Sequence, residues 1–365
     1  MALSNPFNPS FGRVPPIFLD REDTVHKIVV GIENVNSPYQ TTMIYGVRGS
    51  GKTAMMTDVC NSFAVRDEWI VSNLSASIDI KGALIEDITR QIGLSAKKLM
   101  RRLKGVKLSV PGVQVDFRTV ISEVTFTTVF REVLSDMKSS GKSLLIAIDE
   151  VSATEELREL IATYQIMIRE GYHVALIMTG LPRNISELQN DKTLTFLLRS
   201  ARVDMQPIDM LEINLKYQET FMGAGISIDD DALARITKLT EGYAYAFQLM
   251  GYLLWETGAK IIDDATIDSI LPEYKKLLYR SVYTKVYEEM SEMDREFVKA
   301  MAEFDERDVS VSAVADKMSK DVSYTSVYRR RLMDAQIIAS PVRGKVRFAL
   351  PLFGEYIRLV DRLYE

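Results

Sequence analysis

Up to about residue 205, short runs of consecutive apolar residues alternate with stretches whose apolar positions recur at helical spacing. The runs are Thr41-Thr42-Met43-Ile44-Tyr45, Trp69-Ile70-Val71, Ser143-Leu144-Leu145-Ile146-Ala147-Ile148 and Val174-Ala175-Leu176-Ile177-Met178. Strands with one solvated face would alternate apolar and polar residues. These do not, so they predict a parallel sheet covered on both faces. Ala54 to Cys60 and Glu155 to Glu170 read as helices between them, and the alternation as a whole predicts an α/β fold. From about Gln206 to Leu278 the strand signal disappears. Tyr217 to Met222, Asp229 to Thr240 and Tyr243 to Thr257 read as helices there.

One segment, about residues 95–118, interrupts the first pattern. Val106, Leu108 and Val110 alternate up to Pro111-Gly112, and Val113, Val115 and Phe117 alternate away from it, which predicts an inserted β-hairpin. Just before it, Lys97, Lys98, Arg101, Arg102 and Lys104 sit at helical spacing. That basic face is either plain solvated surface or a surface turned toward nucleic acid or a partner.

Beyond residue 278 a third pattern begins. Ser291 to Glu303, Val311 to Met318 and Ser323 to Ala335 carry helical spacing, with a turn at Ser319-Lys320-Asp321. Ile337 to Ser340 and Lys345 to Leu350 alternate about Arg343-Gly344. Helices followed by a basic hairpin predict a winged helix-turn-helix. In DNA binders of that shape the third helix enters the major groove and the wing tracks the backbone. Arg329, Arg330, Arg343, Lys345 and Arg347 are placed for phosphates, and Tyr324 and Ser326 for base edges. Acidic residues are sparse from Ser323 to Phe348, which favours DNA, although winged helices also bind proteins. The expected organisation is 1–205, 206–278 and 279–365.

Composition narrows the classes. The chain has 365 residues, 47% hydrophobic and 26% charged, which suits a soluble protein of about two or three domains. No apolar run approaches a membrane span, and Met1-Ala2-Leu3-Ser4-Asn5-Pro6 does not have the pattern of a signal peptide, so a cytoplasmic location is expected. Cys60 is the sole cysteine, which rules out an internal disulfide and, with only His26 and His173, argues against zinc chemistry. A net charge of −5 confines any nucleic-acid role to local basic patches.

The chemistry is concentrated after the first strand. Gly46-Val47-Arg48-Gly49-Ser50-Gly51-Lys52-Thr53 fits G-x-x-x-x-G-K-[ST], the P-loop pattern, between a strand and a helix that continues with Ala54. Its glycines let backbone N–H groups turn toward phosphates, Lys52 brings a cation to the β- and γ-phosphates, and Thr53 offers a hydroxyl to Mg²⁺. The pattern implies ATP or ADP with Mg²⁺. The strand ending Ile146-Ala147-Ile148 delivers Asp149 and Glu150, a Walker B arrangement in which Asp149 holds the metal through its water shell and Glu150 polarises the attacking water. Thr179, after the next strand, either bonds the γ-phosphate or lytic water or simply caps the strand. Arg199 and Arg202 end an expected helix, Leu194 to Leu198. Either arginine is an arginine finger for a neighbouring subunit, Arg199 being preferred, or a member of a surface salt bridge. Upstream, Pro15-Pro16-Ile17-Phe18 is placed to wall an adenine ring, with Pro16 as the contact, and Arg21 and Glu22 can equally form a structural pair with the following helix.

Together these motifs resemble the AAA+ ATPases, and more closely the branch holding origin-recognition and initiator ATPases with the archaeal-type STAND ATPases. Arg21-Glu22, the P-loop and Leu181-Pro182 carry the likeness. The resemblance implies that 1–205 is the ATPase core, that 206–278 is a helical lid over the nucleotide, and that a winged helix follows. Family lids present a sensor arginine near a helix start, but the corresponding stretch here is Glu241-Gly242-Tyr243-Ala244-Tyr245-Ala246. That departure implies hydrolysis that is slow or activated by a partner. The leading expectation is an ATPase whose nucleotide state gates assembly on duplex DNA, as a homo-oligomer or ATP-bridged assembly. The alternative is a STAND-type switch whose winged helix binds a protein partner. A small-molecule kinase would leave the C-terminal pattern unexplained.

Overall fold

The computed structural model describes residues 4–10, 12, 14–17, 19, 21–76, 79–94, 98–99 and 124–364. The expected hairpin and most of the basic stretch before it lie outside the described residues. The chain divides into two units, one made of residues 23–45 and 52–204 and the other of residues 1–22, 46–51 and 205–365.

The first unit is built on a five-stranded parallel sheet in the order β2-β3-β4-β1-β5. Its strands are β1 (Thr41–Tyr45), β2 (Trp69–Ser75), β3 (Ser143–Asp149), β4 (Val174–Gly180) and β5 (Ala201–Asp204). The apolar runs fall on β1 to β4, with β3, β4 and β1 inside the sheet and β2 at one edge, and every residue of β4 is buried. Helices α1 (Glu22–Glu33), α2 (Lys52–Ala64), α3 (Ile80–Gln91), α4 (Phe126–Ser139), α5 (Glu155–Arg169) and α6 (Pro182–Gln189) complete the unit. In α4, Phe126, Val129, Phe130, Val133, Leu134 and Met137 recur at intervals of three and one, so one stripe faces the sheet. Thr154 starts α5 by accepting the Leu157 N–H at 3.3 Å. Tyr164 of α5 donates to the Gln40 carbonyl at 2.7 Å, tying the helix to the start of β1.

β3 and β4 pair in parallel from Leu144↔Val174 to Ile148↔Met178, and β2 pairs with β3 up to Ser75↔Asp149. Asp149 and Thr179 therefore emerge side by side at the carboxyl ends of adjacent strands. The segment before β5 differs from expectation. Thr195–Arg199 is a 3₁₀ helix, and Arg202 lies within β5.

The second unit is mostly helical. It contains α7 (Met210–Gly223), α8 (Asp230–Thr240), α9 (Ala244–Glu256) and α10 (Asp264–Leu278). Two short strands that the apolar pattern does not signal, Ser227–Ile228 and Ile261–Ile262, pair in parallel between them. The helical run continues past the expected boundary at 278–279. Tyr279–Tyr283 forms a π turn in which the Thr284 N–H reaches the Tyr279 carbonyl, and α11 (Thr284–Glu288) follows. Next come α12 (Glu292–Ala302), α13 (Val311–Lys317) and α14 (Val322–Asp334). Val309–Ser310, Lys345–Phe348 and Ile338–Ala339 make a three-stranded sheet with Lys345–Phe348 central and antiparallel to both neighbours. α15 (Phe353–Tyr364) closes the chain and packs on α12, where Arg358 donates to the Ala302 carbonyl at 2.7 Å. α12 begins with a reciprocal Ser291–Asp294 cap, and Arg331 of α14 reaches the buried Asp294 at 2.8 Å.

All of these helices share one apolar core, into which the amino-terminal segment inserts Phe7. Its ring lies 5.7 Å from Tyr217, 5.5 Å from Phe221 and 5.7 Å from Phe247. Gly251 leaves room for it, since a Cβ there would come within 2.4 Å of the ring. The chain's two tryptophans report separately, because Trp69 belongs to the first unit and Trp255 to the second. In a Trp69→Phe background, Phe7→Ala should lower the stability read from Trp255 fluorescence in urea by about 3–5 kcal/mol. An unchanged midpoint would show that the amino-terminal segment does not contribute to that core.

Candidate functional site

The sheet places carboxylates and hydroxyls where β3 and β4 end. Asp149 is the last residue of β3, and Thr53 lies in the first turn of α2. The Thr53 hydroxyl donates to Asp149, 2.9 Å from Oδ2 and 3.2 Å from Oδ1. Thr179, fully buried at the end of β4, donates its hydroxyl to Asp149 Oδ1. The same Thr179 oxygen accepts the Glu150 N–H at 3.1 Å, and Asp149 Oδ1 accepts it as well at 3.1 Å. Glu150 takes a left-handed backbone, φ 53°, which a residue with a Cβ rarely adopts. That backbone turns its N–H back to the pair while its side chain is exposed. Strain of this sort concentrates where a side chain must be aimed.

Thr179 is thus placed beside the Walker B carboxylates with its hydroxyl already engaged. Both Asp149 and the Glu150 main chain share that one hydroxyl. Lys52 is buried at the first position of α2, and Ala54 follows Thr53 on the same helix, half-buried. A carboxylate and a hydroxyl oxygen at hydrogen-bonding distance are hard donors suited to Mg²⁺, which is commonly held by few protein oxygens together with phosphates. Among the described residues there is no cluster of His, Cys, Asp and Glu that would cage a metal by itself. Cys60 is buried and its thiol pushed up to about 12 by desolvation, which disfavours the thiolate.

The phosphate loop, Gly46 to Gly51, belongs with the second unit. Gly49 and Gly51 hold φ of 74° and 93°, which glycine tolerates, and the Ser50 N–H turns back to the Val47 carbonyl at 3.3 Å. Ser50 Oγ is buried and has no hydrogen-bond partner among the described residues, as fits a loop that wraps ligand oxygens. Tyr243 donates its O–H to the Arg48 carbonyl at 2.6 Å, and the Tyr245 N–H reaches the Gly49 carbonyl at 3.1 Å. Burial raises the Tyr243 phenol above its ordinary pKa, so it stays a donor. The Arg48 side chain pairs with Glu289 at 2.7 Å, and the Val47 N–H donates to the Gln336 side chain at 3.1 Å. Sequence reasoning missed these interactions. It found the stretch from Glu241 to Ala246 by its want of an arginine, and Tyr243 stands within it.

The remaining sequence candidates are dispersed. Arg199 is exposed at the amino-terminal edge of β5, whereas Asp149 and Thr179 stand at carboxyl ends, so it is far from its own Walker B residues. Pro16 is exposed while Pro15 and Ile17 are buried, and Phe18 lies outside the described residues. Arg21 donates to the Gln206 carbonyl at 2.9 Å. Of the basic candidates near the chain's end, Arg330, Arg343 and Lys345 are exposed and Arg329 is half-buried. Arg347 is paired with Asp308 at 3.0 Å. Tyr324 is exposed and stacks obliquely on Tyr328.

A glycine is required in the loop for a reason beyond its φ. A Cβ at Gly49 would lie 2.1 Å from the Tyr243 hydroxyl oxygen. Gly49→Ala should therefore cost about 2–4 kcal/mol in a thermal or urea melt. Combining it with Tyr243→Ala should cost less than the sum of the single changes. Strict additivity would show that the tyrosine does not bear on the loop.

Three comparisons bear on the chain. A family model described as "Domain of unknown function (DUF8462)" matches residues 280–357. No curated protein matches. Among solved structures, the Walker-type ATPase of Pyrococcus abyssi aligns with a TM-score of 0.63 at 17% identity, covering 95% of this chain and 97% of that one. The Aeropyrum pernix ORC2 protein, solved in ADPNP–ADP complexes, aligns with a TM-score of 0.65 at 13% identity, covering 97% of this chain and 96% of that one. Cdc6p of Pyrobaculum aerophilum aligns at 0.50 with 14% identity, covering 98% and 97%. No helix among the described residues is long and apolar enough to cross a membrane. The parallel five-stranded sheet with its helices, and the helical part that follows, have the AAA+ P-loop α/β fold of the archaeal Cdc6/ORC proteins.

Proposed function

We propose that this chain is an ATPase of the AAA+ type whose nucleotide state is passed to a C-terminal winged helix, and that the winged helix engages duplex DNA. The observation that carries the ATPase reading is the joint arrangement of Thr53, Asp149, Thr179 and Glu150 at the carboxyl ends of β3 and β4. Ligands of open α/β sheets bind at that edge. The loop from Gly46 to Gly51 turns its N–H groups to the β- and γ-phosphates of ATP, and Lys52 adds its cation. Thr53 and Asp149 would hold Mg²⁺, which would supply positive charge to offset that of the phosphates. Glu150 takes a proton from the attacking water, and Thr179 keeps Glu150 and Asp149 in register. Arg199, at the opposite edge from its own Walker B pair, serves the γ-phosphate of a neighbouring copy in an ATP-bridged assembly.

In this reading residues 1–205 form the ATPase core, 206–278 the lid and 279–365 the winged helix. The exposed Arg330, Arg343 and Lys345 support binding to phosphates along DNA. A second reading, a switch that binds a protein partner, is favoured by a different feature of the same helix. Tyr324 and Val327 of α14, three residues apart on one face, are 40% and 58% exposed, an apolar pair on a helix that would otherwise only track phosphates.

Lys52→Ala should abolish ATP binding in calorimetry. Glu150→Gln should keep binding but lower turnover by about 100-fold or more. Undiminished hydrolysis in either variant would refute the site. For the DNA reading, replacing Arg330, Arg343 and Lys345 with Ala should weaken duplex binding in fluorescence anisotropy. The slope of log K against log salt should fall by about 0.9 for each phosphate no longer neutralised. An unaltered slope would turn the assignment toward a protein partner.

A further inference from the structure

Gln336 ends α14 in a left-handed conformation, φ 57°. Its N–H bonds the Met333 carbonyl at 2.8 Å, and the next N–H, of Ile337, reaches back to Leu332 at 2.9 Å. Helices commonly close this way, with glycine at the left-handed position because a Cβ crowds the backbone there. The cap itself has no need of a glutamine side chain. That side chain instead extends to the phosphate loop, where its carbonyl oxygen accepts the Val47 N–H at 3.1 Å. Val47 opens the turn that the Ser50 N–H closes, so a bond to its main chain fixes the path on which Gly49, Ser50 and Gly51 follow. The neighbouring Arg48–Glu289 pair is partly exposed and contributes less.

We propose that Gln336 is a positioning residue for the phosphate loop, linking the carboxyl end of α14 to the affinity for triphosphate. The inference rests on reading the loop as an ATP site. Gln336 holds the loop's entrance so that the following N–H groups are arranged for phosphate before it arrives. Because linkage is reciprocal, a macromolecule that binds α14 and shifts its end changes ATP affinity, and ATP changes that partner's affinity by the same factor.

Gln336→Gly separates positioning from folding, since glycine relieves the left-handed backbone while removing the side chain. The variant should melt at the same temperature as the wild type or higher. Amide exchange in a peptide covering Tyr45 to Ser50, followed by mass spectrometry, should quicken about fivefold. The KM for ATP should rise by a similar factor, more than kcat falls. Gln336→Glu keeps the acceptor, so it should retain slow exchange, yet its negative charge should weaken ATP binding more than ADP binding. Wild-type ATP binding with unchanged exchange and KM in Gln336→Gly would overturn the inference and leave the ATPase reading standing. A wild type that binds no ATP would overturn that reading and the link to affinity, while exchange would still report whether Gln336 holds the loop.

Discussion

The carboxylate of Asp149 is the point on which the sheet's chemistry turns. Hydroxyls from the first turn of α2 and the end of β4 converge on it, together with the N–H of the next residue. Hydrogen bonds to a charged acceptor are worth about twice those between neutral groups, so the cluster locks the ends of three elements together. The parallel register of β3 and β4 follows the same demand, because a slip by one residue would turn Thr179 to the opposite face of the sheet. The left-handed backbone at Glu150 is the local cost of closing the cluster while leaving that side chain exposed.

The second unit solves a different problem. It has no large sheet to cover, and its helices bury their apolar residues in one shared core with the amino-terminal segment and short strands. Phe7, a residue far from them in sequence, fills the space between α7 and α9. Tyrosines serve the unit twice over. Tyr217 buries its ring and donates to the Phe247 carbonyl at 2.7 Å, and Tyr243 joins the same core while its O–H reaches the phosphate loop. A buried phenol suits such places because the ring supplies apolar area and the hydroxyl finds a carbonyl.

Much of this was legible in the sequence where one local cause dominates. Strands buried on both faces need unbroken apolar runs, so β1, β3 and β4 could be placed to within a residue or two. The P-loop and the Asp149-Glu150 pair were equally plain, because their chemistry restricts residue type at fixed spacing. β5 was not legible, being a short edge strand in which Arg202 and Asp204 break any apolar run. Thr195–Arg199 has the composition of an α-helix but too few residues to continue one, and it tightens into a 3₁₀ turn. α15 went unremarked because its role depends on packing against α12. The engagement of Arg347 by Asp308 and of Arg331 by Asp294 depends on folded neighbours, so a count of basic residues overstates the charge on offer. Gln336 was hidden for a subtler reason. A left-handed helix end is read from glycine, and here the sequence is Ala335-Gln336-Ile337.

The π turn at Tyr279–Tyr283 sets the angular phase of everything after it. An α-helix advances about 100° per residue, and a π turn holds one residue more than the α-helical turn it replaces. With that extra residue, Val282, Tyr283 and Val286 all reach the common core although α10 and α11 form one run. Loss of a single codon within the turn would rotate α11 and all that follows by nearly a third of a revolution about the helix axis. A substitution here would act only through what the side chain touches, whereas a change of length would act on that phase. The segment thus sets a phase by its residue count and a contact by its residues, since the buried Tyr283 donates to the Pro351 carbonyl.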